Sequence, residues 1–379
     1  MKRKKVSELA KQIRGVSYKT EDLHENLDEN SVTLLRANNI FEGRINFDDV
    51  VYVDKSRVAR EQYLCKGDIL VCTSSGSKQL VGKAASFNFD TECTFGAFCK
   101  VVRPNQDVAN YLSMYFQSNA YRRKISEVAI GANINNIRNE HIDALKLPIG
   151  SNAENEKVVA SFSLLQQIID GRKQQLHKLD ELIKARFVEL FGDCILNTKG
   201  WKTKRLGDIA EVGSSKRVFV EDLKENGIPF YRGTEIGALA ERKSVAPELF
   251  ISEEHYSKLC KATGSPQIGD LLMPSICPDG RIWIVNTSAP FYFKDGRVLW
   301  VHAIVNSYNP TFLLYTLKDR IMTDYSSIAS GTTFAELKIF ALKECQIFDV
   351  PLELQNQFAA FVEQTDKSKV VVQDEVNGL

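Results

Sequence analysis

Several things are scarce in this 379-residue chain, and each scarcity closes off a class of function. No apolar run approaches the roughly 18 to 20 residues that a membrane helix needs. The start, Met1-Lys2-Arg3-Lys4-Lys5 leading into Val6-Ser7-Glu8-Leu9-Ala10, lacks the apolar core of a secretion signal, so a cytoplasmic location is expected. Net charge is nearly absent, with 49 Lys and Arg against 48 Asp and Glu. The chain as a whole therefore has no polyanion footprint, and any nucleic-acid-binding surface has to be a local patch. Cysteines stand at 65, 72, 93, 99, 194, 260, 277 and 345, with no Cys-x-x-Cys pair and no His-rich spacing beside them. That pattern argues for buried reduced thiols over zinc or a disulfide framework.

Catalytic signatures are missing too. No Gly-x-Ser-x-Gly elbow occurs, and none of His24, His141, His177, His255 or His302 lies in a His-Glu-x-x-His pattern. Gly76 to Lys83 has five residues between its glycines where a phosphate loop has four, and Ala84 stands where a Ser or Thr would hold Mg²⁺. Asn309-Pro310-Thr311-Phe312 approaches the Asn-Pro-Pro-Phe of amino-methyltransferases, but Thr311 replaces the second proline and no glycine-rich cofactor loop precedes it. A helix start with proline in its first turn explains it better. The expectation is a chain with no catalysis, metal or cofactor of its own.

What is present is ordinary globular material, 44% hydrophobic and 26% charged, long enough for two or three domains of about 150 residues. The chain is also written twice. Val6-Ser7-Glu8-Leu9-Ala10 matches Leu206-Gly207-Asp208-Ile209-Ala210; Leu34-Leu35-Arg36-Ala37-Asn38-Asn39-Ile40 echoes Phe230-Tyr231-Arg232-Gly233-Thr234-Glu235-Ile236; Lys66-Gly67-Asp68-Ile69-Leu70 echoes Ile268-Gly269-Asp270-Leu271-Leu272. Further on, Leu112, Tyr115, Gly131, Ile134, Ile137, Ile142, Leu147 and Val158 answer Phe312, Tyr315, Gly331, Phe334, Leu337, Leu342, Ile347 and Phe358. Shared order at a nearly constant shift is the signature of an internal repeat.

Each copy reads as short strands with a few helices. Val50–Val53, Asp68–Cys72, Ile282–Val285 and Val298–Val301 are β-rich runs bounded by Gly, Pro or Ser, whereas Val108–Arg122 and Thr311–Met322 carry helical spacing. The mixture predicts an α+β class. After the first copy, Val158, Phe162, Leu165, Ile169, Arg172, Leu176, Leu179, Ile183, Arg186 and Leu190 step by four and three, a heptad seam running from about Glu154 to Leu190. Such a helix would be about 55 Å long. Its counterpart after Pro351 has Leu354, Phe358 and Phe361 on one face, then Thr365 and Ser368. The expected architecture is pseudo-twofold: a first domain over 1–150, a helical spacer over 151–195, a second domain over 196–350 and a distal helix over 351–379, the two helices packed as an antiparallel coiled coil.

Candidate DNA contacts follow from chemistry. Lys4 and Lys5 lie in a run with Lys2, Arg3, Lys11, Arg14 and Lys19 opposed by Glu8 alone, and Lys216 and Arg217 belong to a similar bias at the second copy; both could sit on phosphates, a solvated tail fits the first almost as well, and the bias at both copies modestly favours phosphate contact. Arg36 and Asn38 have Arg232 and Thr234 as counterparts. Polar loops follow the Gly-Asp strands at equivalent places, with Ser74, Ser75, Ser77, Lys78 and Gln79 in one and Ser275 and Arg281 in the other. Hydroxyls, amides and cations of this kind pair with base edges, and Ser and Gly also serve as plain turn residues.

Together these residues resemble the specificity subunit of type I restriction-modification systems. The resemblance rests on the Leu206-Gly207-Asp208-Ile209-Ala210 opening, Phe230-Tyr231-Arg232-Gly233, Gly269-Asp270-Leu271-Leu272, Gly331-Thr332-Thr333-Phe334, Pro351-Leu352, and Lys178-Leu179-Asp180-Glu181-Leu182 running to Phe191-Gly192. It spans essentially the whole chain. It implies two target-recognition domains reading the two parts of a split double-stranded DNA site, and no catalysis by this chain. It also implies two adenine-N6 methyltransferase partners, which bind S-adenosylmethionine, and recruitment of ATP-driven restriction subunits. Two other classes make different predictions. A self-contained methyltransferase or nuclease would act when purified alone, and a coiled-coil scaffold or decoy would not distinguish specific from random duplexes.

Overall fold

The computed structural model of the protein describes residues 2–76, 80–128, 135–331 and 335–378. It divides into two compact units, Met1–Asp170 and Gly171–Leu379. The first unit contains β1 (Lys2–Lys5), β2 (Ala10–Arg14), β3 (Ser31–Leu35), β4 (Val51–Asp54), β5 (Asp68–Cys72), β6 (Ala84–Phe87), β7 (Cys93–Phe95), β8 (Cys99–Pro104) and β9 (Lys146–Ile149). The second contains β10 (Thr203–Arg205), β11 (Glu211–Gly213), β12 (Ile228–Tyr231), β13 (Phe250–Ile251), β14 (Leu271–Pro274), β15 (Trp283–Ile284), β16 (Tyr292–Phe293), β17 (Val298–His302) and β18 (Gln346–Phe348).

Adding nine to a label of the first unit gives its counterpart in the second. One sheet runs β6-β5-β8-β2, antiparallel throughout, and its equivalent runs β15-β14-β17-β11 in the same sense. Beside it, β3 lies between parallel β7 and antiparallel β4, as β12 lies between parallel β16 and antiparallel β13. The outer pairs β1–β9 and β10–β18 are both antiparallel. The lysine-rich start is therefore a paired strand with exposed side chains, not a loose tail.

Side chains explain why the frames coincide. The turn into β5 needs Gly67 at φ +88°, and the turn into β14 needs Gly269 at φ +95°, a left-handed region that glycine enters without a Cβ penalty. The following aspartate closes each turn: Asp68 accepts from the Cys65 N–H and Asp270 from the Gln267 N–H, both at 2.8 Å. Both carboxyls are buried and both have a second donor, Arg103 for Asp68 and the Trp300 indole, at 2.9 Å, for Asp270. The Gly-Asp motif is thus a structural turn.

The helices differ from expectation in three places. The segment expected as one helix over Val108–Arg122 is two, α1 (Ala109–Gln117) and α2 (Asn119–Val128), because Ser118 is extended and its hydroxyl accepts from the Tyr121 N–H at 3.2 Å. The spacer helix α3 spans Asn152–Phe191 as one 40-residue element. Its seam holds at Val158, Phe162, Ile169, Leu176, Leu179 and Leu190, which are half-buried, and at Ile183, which is buried. Leu165, however, is 42% exposed and Gln166 takes its place. The partner helix is α6 (Leu352–Asn377). Phe187 and Phe191 touch Phe358, the Arg186 guanidinium lies over the Phe361 ring, Asp180 pairs with Lys369, and Arg172 with Glu375. The pair is antiparallel; before Arg172 the covered residues of α3 face the first unit instead, Val158 packing on its core and Phe162 and Gln166 lining a cleft in it.

Third, the seam of α6 continues beyond Phe361 with polar residues. Val362 and Thr365 are buried and Lys369 is largely covered, while Ser368 is exposed. Each long helix is also clamped at its first turn by a buried amide: Asn155 Oδ1 accepts from Gly150 N–H at 3.0 Å, and Gln355 Oε1 from Asn309 N–H at 2.8 Å.

Candidate nucleic-acid interface

In the first unit a cleft of about 470 Å³ collects side chains that are remote in sequence, among them Tyr18, Arg36, Asn38, Ser74 and Phe98. Main-chain segments meet closely beside it. Gly15 lies so close to Gly96 that a Cβ at Gly15 would meet the Gly96 carbonyl oxygen at 2.1 Å. Val16 N–H donates to Phe95 O and Gly96 N–H to Leu35 O, which brings the ends of β2, β3 and β7 together. Thr73 and Ser74 both donate their N–H to Phe98 O, so the end of β5 is tied to the turn that presents the Phe98 ring, which is 70% exposed.

Arg36 and Asn38 are shaped by a neighbouring acid. Asn39, buried just after β3, accepts from Arg36 N–H at 2.8 Å and fixes that turn. The Arg36 guanidinium and the Asn38 amide then both donate to the Asp49 carboxylate, which is itself 73% exposed. An exposed pair of this kind is worth under about 1 kcal/mol, so it positions the cation without locking it away from a phosphate or a base edge. Ser74 and Ser75 form a short antiparallel pair with Asn135 and Asn136. Ser77, Lys78 and Gln79 lie outside the described residues.

The second unit uses the same frame with different side chains. Arg297 stands where Phe98 does, since its carbonyl accepts from Ser275 N–H at 2.9 Å. Ser214 and Ser215 bond to Val298 O and Phe293 O, and Lys216 N–H donates to the Tyr292 hydroxyl. Those bonds hold exposed Lys216 and Arg217 on a fixed loop, with the Arg217 guanidinium over the Phe219 ring at 5.2 Å. Arg232 donates to Glu235 and Glu248, and Thr234 donates to Glu235. Burial pushes the Glu235 carboxyl up, but the Arg232 side chain and N–H and the Thr234 hydroxyl outweigh it and hold it at about 2. The Glu235 hydrogen bond raises Arg232 above its usual range. Arg281 pairs with Asp279 at 2.7 Å.

One expected contact is corrected. Ser275 is 2% exposed where the chain turns out of β14, its N–H donating to Arg297 O and its carbonyl accepting from Leu337 N–H, so its side chain does not face solvent where a base edge would be met. The remaining candidates are distributed. Arg36, Asn38 and Ser74 share a cleft; Lys216, Arg217, Arg232, Thr234 and Arg281 lie in the second unit; Lys4 and Lys5 project from β1. Tyr18 and Phe98, which line the cleft, and Arg297, at the equivalent turn, are further candidates without a periodic signal in the sequence, although aligning β8 with β17 through the repeat pairs Phe98 with Arg297. Among the described residues no cluster of His, Cys, Asp or Glu is arranged to hold a metal, and no helix is long and apolar enough to cross a membrane.

The chain thus holds a duplicated α+β frame whose loops carry exposed cations, amides and aromatics. The family model for the type I restriction modification DNA specificity domain matches residues 1–181 and again 198–375, and the chain belongs to that family. It is 38% identical over 180 residues to the type I restriction enzyme StySPI specificity subunit of Salmonella potsdam, covering 47% of this chain and 39% of that one. It is 37% identical over 200 residues to the EcoKI specificity subunit of Escherichia coli K12, covering 52% and 43%. The matched stretches thus span less than half the length of these curated relatives. A solved chain described under the structural basis of complex assembly and conformational transition of the type I R-M system matches with TM-score 0.54 at 15% identity, covering 100% of this chain and 93% of that one, which shows the fold.

Proposed function

We propose that this chain is the DNA-reading subunit of a type I restriction-modification complex. Each unit reads one part of a split site: the first with the cleft at Arg36, Asn38, Ser74 and Phe98, the second with the loops at Lys216, Arg217 and Arg297. Lys4 and Lys5 supply phosphate contacts that orient without specifying. Helices α3 and α6 act as the ruler between the two parts and as the docking surface for two adenine-N6 methyltransferase subunits. Those partners bind S-adenosylmethionine and perform the chemistry, and ATP-driven restriction subunits join the same assembly in the cytoplasm.

The observation that carries this reading is the matched pair of frames, strand for strand, in a chain whose family model also matches twice. Duplicated readers with unlike loops suit two unlike half-sequences. The test is co-expression with a methyltransferase pair encoded beside it, followed by genome-wide mapping of methylated adenine. A motif in two parts separated by unspecified bases is expected; a contiguous motif would refute the two-reader assignment.

A further inference from the structure

Each unit extends one arginine onto the long helix that follows its sheets. In the first, Arg44 donates to Asp170 on α3. In the second, Arg242 donates to Asp366 on α6. The two arginines occupy matching places in the repeat, shortly after β3 and β12, yet reach them by unlike local structures. Arg44 follows a two-residue turn, Glu42 at φ +47° and Gly43 at φ +75°, which closes a hairpin pairing Ile40–Phe41 with Arg44–Ile45. Two consecutive left-handed residues make the tight, twist-matched hairpin that fixes where its flanking side chains point.

Arg242 instead ends the helix α4 (Gly233–Ala240), in which the N–H groups of Arg242 and Lys243 close back on Leu239 O and Ala238 O at 3.0 Å. It sits at φ +59°, the left-handed position usually given to glycine, and a side-chain-bearing residue there costs about 1 kcal/mol. Glycine would relieve that strain and lose the reach to Asp366. On α6, Asp366 is only 13% exposed and also meets Lys369 at 3.4 Å, which in turn binds Asp180 on α3. The arginine is thereby tied into the seam of the helix pair. In the first unit the neighbouring hairpin and α3 leave a cleft of about 400 Å³, lined by Gly43, Phe116, Gln117, Phe162 and Gln166. Apolar packing alone does not fill that junction, and Arg44 reaches α3 at Asp170, one turn beyond Gln166.

We infer that Arg44 and Arg242 are positioning residues that fix each reading unit on its helix, and so set how strictly the gap between the two half-sites is measured. This rests on the two-reader function proposed above. The experiment uses the assembled methyltransferase complex and duplexes whose unspecified gap is native, one base pair shorter or one longer. In Arg44→Gln and Arg242→Gln the ratio of methylation at the native gap to that at altered gaps should fall about two- to fivefold, the reach of an ion pair with at least one solvent-facing partner. The charge exchanges Arg44→Asp with Asp170→Arg, and Arg242→Asp with Asp366→Arg, should restore it. An unchanged ratio, or an equal loss at all three gaps, would overturn the inference. If a glutamine variant fails to assemble, the exchange variant decides: recovery of assembly with native gap selectivity supports the inference, and anything less overturns it. A wild-type complex that shows no split motif would instead sink the functional reading.

Discussion

Asp68 shows how far a single residue can be understood from the motif around it. Its carboxylate is 1% exposed and is held by Arg103 at 2.7 Å and by a backbone N–H, so Arg103→Met would leave a buried charge without its counter-ion. Loss of about 3 kcal/mol in urea unfolding is expected, against about 1 kcal/mol for Trp300→Phe at the equivalent neutral donor to Asp270. Glu235 gives a pH test. Its folded-state value of about 2 lies below the ordinary 4.5, so its contribution to stability is complete above about pH 4.5 and fades as pH falls toward 2. Glu235→Gln should therefore be less stable than wild type at pH 7, and the gap should close on acidification; a gap independent of pH would show that the carboxylate charge is irrelevant. At this scale the sequence located the Gly-Asp pairs but not their purpose. Ser275, expected at a DNA surface, is a buried turn residue, because exposure depends on which way a strand exits its sheet and not on residue type.

Among the elements, the heptad was the most readable, since a seam is written in the spacing of its own residues. Where it failed, at Leu165, the covered face of the helix is set by the first unit's core and cleft, which Val158, Phe162 and Gln166 meet. The polar half of α6 was hard to read for a related reason: Thr365, Asp366 and Lys369 look like a solvated face until Arg242 and Asp180 are seen opposite them. Phe358 anchors the helix pair, contacting Phe187, Phe191 and Tyr315 with ring centroids 5.3 to 5.6 Å apart. Phe358→Ala should cost about 3 to 5 kcal/mol in chemical denaturation and release α6 to proteolysis. Gly171 has the opposite outlook. It is a helix-interior glycine with open space around its would-be Cβ, so Gly171→Ala should raise stability by about 0.5 to 1 kcal/mol.

For the molecule as a whole, duplication was legible from a handful of matched pentapeptides, while the strand order of each unit was not, because short strands joined across long sequence separations carry no local record of their neighbours. Duplication also predicts divided labour. In the assembled complex, Phe98→Ala should relax recognition in one half of the split site and leave the other half unchanged. Lys5→Ala should weaken binding to all duplexes alike and lower the salt slope by about one. Methylation mapping and salt titration would separate the two, and a Phe98 variant that altered both halves would contradict independent reading.

The Asn155 amide accepts from Gly150 N–H and the Gln355 amide donates to Val350 O, so each roots its helix to the loop before it, one turn from where the stripe of covered residues begins. Because each position along such a rod advances by about 100°, removing a single residue between Asn155 and Val158 would leave the root in place and swing every covered side chain downstream off its partner. The tolerance of this stretch to insertions and deletions should accordingly follow the helical turn, with whole heptads survivable and single residues not.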